Sequence, residues 1–282
     1  MLVSIILPAK NEAASIGAVI ARIRQLYPDD EILVVNDGSD DNTASLAESA
    51  GATVISHPVS MGNGAAIKAG ARAAKGDVLV FLDGDGQHKP DDIPRLLDKL
   101  GEGYDMVIGA RSSSSHANTA RLAANGVYNV VASQLTGHRI PDLTSGMRAV
   151  KADLFKKYLY LLPNGFSYPT TITMAFLRAG YLVDFIPIEA RQRTGKSHIR
   201  PIKDGVRFML IIFKIATLYS PLKLFLPTSL LFFGTGVGYY AYTYLTQGRF
   251  TNMSLLLFSA AVIVFLIGLI SEQITALSYK DS

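Results

Sequence analysis

The residues of this chain best suited to chemistry are Asp83 and Asp85, in the run Asp83-Gly84-Asp85-Gly86-Gln87-His88 that follows the apolar stretch VLVFL. Carboxylates two positions apart, separated by Gly, can both reach one hard cation if the chain turns there. Oxygen-only ligation suits Mg2+ or Mn2+, which then bridges a substrate diphosphate. A turn capped by Asp side chains uses the same residues, because Asp-Gly is ordinary turn chemistry, so these dipeptides alone leave both readings open. Two further polar clusters follow apolar runs, Pro8-Ala9-Lys10-Asn11-Glu12 and Asn36-Asp37-Gly38-Ser39-Asp40-Asp41. A phosphate loop is missing: no G-x-G-x-x-G follows the first strand and no G-x-x-x-x-G-K-[ST] occurs. Met61-Gly62-Asn63-Gly64, with Lys68 one turn into the next helix, could set backbone N–H groups near a phosphate. Helix capping is the alternative for that loop. The 282 residues contain no Cys, which excludes disulfide scaffolds, zinc-thiolate sites, iron–sulfur clusters and cysteine nucleophiles.

The elements that must position these clusters show in alternating two-residue and 3.6-residue periods. Strands are expected at residues 2–7, 31–35, 53–55, 77–82 and 106–108, and helices at 13–26, 43–50, 65–74 and 91–100. Such βαβ alternation with continuously apolar strands implies an α/β fold, an open and mostly parallel sheet covered by helices on both faces. Ligands of such sheets bind beyond the carboxyl ends of the strands. The three polar clusters each end a strand, so all three are expected on one rim.

Charge divides the chain. Only 18% of residues are charged, and residues 224–248 and 250–271 contain none. At about 1.5 Å rise per residue and about 30 Å of hydrocarbon, each run is long enough to span a bilayer. Spans are expected at about 224–246 and 252–274, forming a transmembrane hairpin over 221–282. A buried helical hairpin of a soluble core is the alternative. The opening MLVSIILPAKNE has no basic leader and no small-residue cleavage site, unlike a signal peptide. Residues 1–185 balance slightly acidic, whereas 186–224 carry eight Lys and Arg against Glu189 and Asp204. A basic belt just before the first span places residues 1–200 on the cytoplasmic face of the plasma or inner membrane. It also suits anionic headgroups. Nucleic acid is not an expected partner, because the rest of the domain is slightly acidic. Residues 201–220 mix apolar side chains with Arg207 and Lys214, which predicts amphipathic helices along the membrane surface.

P-A-x-N-E, N-D-G-S-x-D-x-T and D-G-D-x-Q-H-x-P, in this order, resemble family 2 glycosyltransferases of the GT-A fold. Asp142-Leu143-Thr144-Ser145-Gly146-Met147-Arg148, then Arg191-x-Arg193-x-Gly195-Lys196-Ser197-His198, then two spans, resemble the dolichyl- or polyprenyl-phosphate sugar synthases. The resemblance implies that Pro8, Ala9, Asn11, Glu12 and Asp37 hold the base and ribose of a nucleotide sugar. It implies that Asp83, Asp85 and Gln87 hold Mg2+ or Mn2+ on the diphosphate. Arg111, Arg121, Arg148, Arg191, Arg193, Lys196 and Ser197 become candidates for the diphosphate or the acceptor phosphate. At His198 the chain departs from the pattern, which often has Lys there.

The implied reaction moves a hexose from a nucleotide sugar, GDP-mannose or UDP-glucose, onto the phosphate of a polyprenyl or dolichyl lipid. Negative charge develops on the departing diphosphate, where a divalent ion and fixed cations stabilise it. In-line attack inverts the anomeric centre. A lipid monophosphate has a second pKa of about 6 and is already ionised at neutral pH, so no general base is expected. A transferase acting on a glycolipid hydroxyl would need one, and Asp142 and Glu189 are the candidates. A processive polysaccharide synthase generally carries Q-x-x-R-W, and this chain has no Trp. A membrane-anchored, catalytically silent sugar-nucleotide-binding subunit is a third alternative. The segment 111–121, small and polar between two Arg, reads as a lid or as a solvated loop. Gly234-x-x-x-Gly238 permits close helix packing, within the hairpin or between copies of a homo-oligomer. His57, His116 and His138 read as surface residues.

Overall fold

A computed structural model describes residues 2–111, 119–165, 167–189 and 219–278, with Leu210, Phe213 and Thr217 between, and for most of 119–128 the backbone alone. The chain divides into two compact units, Met1–Phe208 and Met209–Ser282.

In the first unit, strands and helices alternate in the expected order: β1 (Val3–Ala9), α1 (Ile16–Leu26), β2 (Glu31–Asn36), α2 (Thr43–Ser49), β3 (Thr53–Ser56), α3 (Asn63–Ala73), β4 (Val78–Phe81), α4 (Ile93–Gly101) and β5 (Met106–Arg111). Then come α5 (Thr119–Thr136), β6 (Arg148–Lys151), α6 (Ala152–Lys157), α7 (Tyr168–Arg178) and β7 (Val183–Ile188). The seven strands form one sheet in the order β3-β2-β1-β4-β6-β5-β7. Ile5, Ile6 and Leu7 of β1 and Val80 and Phe81 of β4 are fully buried, as strands covered on both faces require. Helix α1 buries Ile16, Val19, Ile20 and Ile23, one stripe at helical spacing.

The sheet is parallel except for β6, which lies antiparallel between β4 and β5. Arg148, at its start, pairs with Phe81 on one side and Ile108 on the other. The start of β6 therefore shares a rim with the ends of β4 and β5. Helix α1 starts three residues later than the period suggested. The N–H groups of Glu12 and Ala13 are drawn instead to Thr43 Oγ1 (2.9 Å) and Asp41 Oδ2 (3.2 Å) of the neighbouring rim loop.

In the second unit, helices Pro221–Gln247 and Asn252–Ser278 pack as an antiparallel pair and are long and apolar enough to cross a membrane. Only 11% and 17% of their most apolar windows are buried, which sets aside a hairpin enclosed in a soluble core. Glu272 Oε2 accepts from Leu222 N (3.1 Å) at the start of the first helix, where backbone N–H groups lack helical partners. The close contact between the helices uses Gly236 against Phe258 and Gly268 against Phe225, whereas Gly234 and Gly238 face open space. The proposed amphipathic helices at 201–220 lie mostly outside the described residues.

Helix α3 is seated by loop backbone. Gly64 N donates to Gly165 O (3.3 Å) and Ala65 N to Asn164 O (2.8 Å), and a Cβ on residue 64 would stand 2.0 Å from Pro163 O. Gly64→Ala should therefore cost about 3 kcal/mol, the upper range for overpacking, read as a lower urea midpoint by tyrosine fluorescence and circular dichroism. An unchanged midpoint would contradict this seating.

Candidate functional site

The three polar clusters meet at the rim and are tied together. Asp37 N donates to Ala9 O (2.9 Å), Asn11 N to Ser39 Oγ (3.0 Å) and Asp40 N to Asn11 Oδ1 (2.9 Å). Asn11 adopts φ +55°, a left-handed conformation that Asn tolerates better than most residues. Ser15 Oγ donates to Gly84 O (2.8 Å), joining the third cluster to the first. Pro8 and Glu12 are half-buried and Ala9 is buried beneath this seam.

Asp37 is enclosed by its own loop. His57 Nδ1 (2.9 Å) and Met61 N (2.8 Å) contact Oδ1, while Ser60 Oγ (2.8 Å) and Gly62 N (2.9 Å) donate to Oδ2. Four contacts fill the acceptor capacity of a carboxylate. Asp37 thus shapes loop 57–62 through both of its oxygens. Burial raises its pKa, but the hydrogen bonds from His57, Met61, Ser60 and Gly62 outweigh this and hold it at about 2. His57, expected on the surface, is packed against this carboxylate.

Lys68 is likewise engaged. Its Nζ donates to Leu162 O (3.1 Å) and to Asn164 Oδ1, and burial lowers its pKa. The N–H groups of Met61 and Gly62, just before α3, go to Asp37, and those of Gly64 and Ala65 in its first turn go to the 164–165 backbone. Met61, Gly62, Gly64, Ala65 and Lys68 thus anchor the loop, through four backbone N–H groups and two of the three Lys68 donors between them.

Asp83 stands at the end of β4 with 35% of its side chain exposed. Asp85 and Gln87 are half-buried in the following turn, where Gln87 N donates to Asp85 Oδ1 (3.0 Å). Asp85, Gly86, Gln87 and His88 line a cleft against Ser15, just before α1, and Val19 in its first turn. The antiparallel register carries Asp83 opposite Gly146, and a Cβ there would lie 2.8 Å from Asp83 Oδ2. Gly at this position leaves the carboxylate the place it occupies. No group of three or more His, Cys, Asp or Glu encloses a metal-sized site among the described residues. Mg2+ and its relatives use one or two carboxylates together with waters and substrate phosphates. Hard oxygen donors at Asp83 and Asp85 on an open rim fit that pattern.

Arg111 and Asp142 form the best-made ion pair at the rim. Arg111 Nε donates to Asp142 Oδ2 (2.7 Å) and Nη2 to Oδ1 (3.0 Å), the planar fork that Arg makes with a carboxylate. Thr144 Oγ1 accepts from Arg111 Nη2 (2.7 Å) and donates to Asp142 Oδ1 (3.1 Å), while Thr144 N also donates to Oδ1 (3.1 Å). Asn129 of α5 holds the loop from behind, accepting from Leu143 N (3.0 Å). Burial raises the Asp142 pKa, but Arg111 outweighs it, and the net shift is downward. Arg111 is correspondingly raised against the pull of burial.

Arg148 is fully buried beneath the rim. Its guanidinium donates to Ser145 O (2.5 Å), Pro169 O (3.2 Å) and Thr173 Oγ1 (3.3 Å) and lies 5.5 Å from the centre of the Tyr168 ring. Burial lowers its pKa. A group with no accessible surface cannot meet an acceptor phosphate, so its assignment there is corrected to support of the Ser145–Gly146 turn. The Arg121 side chain, Arg191, Arg193, Lys196, Ser197, His198 and the 112–118 lid segment lie outside the described residues. Glu189, just before the basic motif, pairs with Lys89 (2.8 Å) of the Asp83 loop. Sequence reading missed His88, Gly146 and the Arg111–Asp142 pairing. Their motifs were visible, but the antiparallel strand that brings them together was not.

Residues 4–159 match the profile described as glycosyl transferase family 2, and residues 220–277 match that of the GtrB C-terminal hairpin. The chain is 31% identical over 214 residues to a dolichyl-phosphate hexose transferase of Haloferax volcanii, covering 75% of this chain and 92% of that one. It is 30% identical over 204 residues to a polyprenol monophosphomannose synthase of Mycolicibacterium smegmatis, covering 67% and 77%. Among solved structures it resembles glucosyl-3-phosphoglycerate synthase from Mycobacterium tuberculosis in complex with Mn2+ and UDP-glucose. That likeness has a TM-score of 0.60 and 26% identity, covering 76% of this chain and 78% of that one.

Two outcomes follow from the rim geometry. Gly146→Ala should shift the unfolding midpoint little, because the Asp83 carboxylate can swing away, yet lower turnover about 10- to 100-fold, as displaced ligand supports do. Turnover equal to wild type would contradict the contact. Because the Asp37 pKa is depressed, its stabilisation is complete above the ordinary 3.8 and lost as pH falls through about 2. Asp37→Asn should therefore lower stability at pH 7 and flatten the acid dependence across that window in urea titrations. An unaltered acid limb would contradict the assignment.

Proposed function

This chain belongs to glycosyl transferase family 2, and we propose that it moves a hexose from a nucleotide sugar onto the phosphate of a membrane polyprenyl or dolichyl lipid. GDP-mannose is the first choice of donor and UDP-glucose the second. The observation that carries the choice of acceptor is the state of the two carboxylates a hydroxyl acceptor would need. Asp142 receives both arms of Arg111 and two bonds from Thr144, and its pKa is pulled down. Glu189 is exposed and paired with Lys89, which lowers its pKa. Asp142 has neither the raised pKa nor the free lone pair of a general base, and the lowered pKa of Glu189 makes it a weak one. An ionised lipid phosphate needs no base, since its second pKa is about 6.

Asp83 and Asp85, with Gln87 by resemblance, would hold Mg2+ or Mn2+, which supplies charge neutralisation to the diphosphate as it leaves. Pro8, Ala9, Asn11 and Glu12 form the seam against which the nucleoside lies. Asp37 orients that seam from outside. Arg111, held by Asp142 and Thr144, offers a cation whose direction is fixed before substrate arrives, so little reorganisation accompanies the reaction. Arg121, Arg191, Arg193, Lys196 and Ser197 supply the acceptor-phosphate contacts. Attack in line with the departing diphosphate inverts the anomeric centre. Residues 1–200 form the catalytic domain, 201–220 the interface helices and 221–282 the transmembrane hairpin. The basic belt supports a cytoplasmic orientation for the catalytic domain. A homo-oligomer through the outward Gly234–Gly238 face is compatible with the hairpin.

The test incubates membranes carrying the full chain with labelled GDP-mannose or UDP-glucose, Mn2+, and either polyprenyl phosphate or polyprenol. One sugar on the lipid phosphate, and none on the alcohol, is expected. Absence of product with every common donor, or equal use of the alcohol, would overturn the reading. Asp85→Asn should abolish transfer while leaving membrane insertion intact, and unchanged transfer would remove the metal assignment.

A further inference from the structure

Three buried side-chain polar atoms lack a hydrogen-bond partner among the described residues: His88 Nδ1, Ser145 Oγ and Arg148 Nε. Such atoms are uncommon in folded proteins and mark a strained, catalytic or incomplete site. All three belong to segments that surround Asp83. His88 follows it in the same turn, Gly146 next to Ser145 lies beside its carboxylate with no room for a Cβ, and Arg148 holds Ser145 O from below. Tyr168 Oη adds a bond to Gly146 O (3.3 Å). The turn against Asp83 is thus fixed by two buried side chains of the core.

His88 is only 4% exposed, and its Nδ1 lies 3.5 Å from Asp83 Oδ2. That separation is longer than a good hydrogen bond, yet Nδ1 has no alternative acceptor. Bonds that position reacting groups are often long in the free enzyme and tighten when substrate binds. The geometry points to His88 as a positioning residue that donates from Nδ1 to Asp83 Oδ2 and fixes the angle of that carboxylate toward the cation. Such a bond would tighten when Asp83 holds the cation. On its other side the carboxylate occupies the space that a Cβ on residue 146 would take. This rests on the proposed use of Asp83 as a metal ligand.

The experiment measures Mn2+ affinity of the full chain, with GDP and separately with UDP, by electron paramagnetic resonance of free Mn2+. His88→Ala should weaken binding about tenfold, the lower range for removing a support behind a ligand. His88→Asn, whose amide N–H occupies the place of Nδ1, should return affinity to within about threefold of wild type. His88→Gln, which reaches instead toward the Nε2 position, should not. A general packing role would make Asn and Gln fail alike, and equal affinities for all four proteins would overturn the inference outright. Wild type and Asp83→Asn distinguish the two levels. If wild type binds no Mn2+ with either nucleotide, or Asp83→Asn binds it equally, the metal assignment fails. If Asp83→Asn alone loses affinity and the His88 variants do not, only the positioning role fails.

Discussion

One short strand running the wrong way governs the site. Because β6 enters antiparallel between β4 and β5, the residues that precede it arrive at the rim where those strands end. Pairing of Arg148 with Phe81 and Ile108 fixes the rest by counting. Two steps onward, Gly146 faces Asp83. A little farther along the same loop, Asp142 meets Arg111. A parallel β6 would carry this loop to the opposite edge of the sheet. The acidic cluster would then lose both its glycine wall and its neighbouring arginine.

The rim separates charges by what surrounds them. Asp37 and Asp142 are saturated with donors and held ionised, so they act as frame. Breaking such a buried pair from one side leaves an uncompensated charge and costs about 3–5 kcal/mol. Asp83 differs, being partly exposed, bordered by glycine backbone and approached by one histidine nitrogen without a full bond. Carboxylates meant for a cation cannot be consumed by the protein. The donors around Asp37 and Asp142 mark these two as frame, and the more accessible Asp83 suits the proposed ligand role.

Much of the fold was legible because its signals are local. The apolar runs of β1, β2 and β4 and the stripe of α1 read directly as elements, and three polar turns after strands placed the rim. The two uncharged stretches read as a hairpin from length alone. What was not legible depended on distant pairing. Nothing near Arg148 says that β6 is antiparallel, so a buried arginine looked like an available cation. Lys68 and Gly64 left phosphate binding and helix capping both open, because the backbone that accepts from them lies about a hundred residues later, at 162–165. His57 looked superficial for the same reason, its partner Asp37 being twenty residues earlier.

The central claim is that Asp83 and Asp85 share a divalent ion with the donor's diphosphate on the rim that β6 completes. Anomalous diffraction at the manganese edge, on crystals of the full chain grown with donor and Mn2+, tests it most directly. The account predicts one peak bonded to Asp83, Asp85 and the diphosphate oxygens, with the sugar directed toward Arg111. A peak elsewhere, with ordered donor and both carboxylates lacking metal, would contradict it.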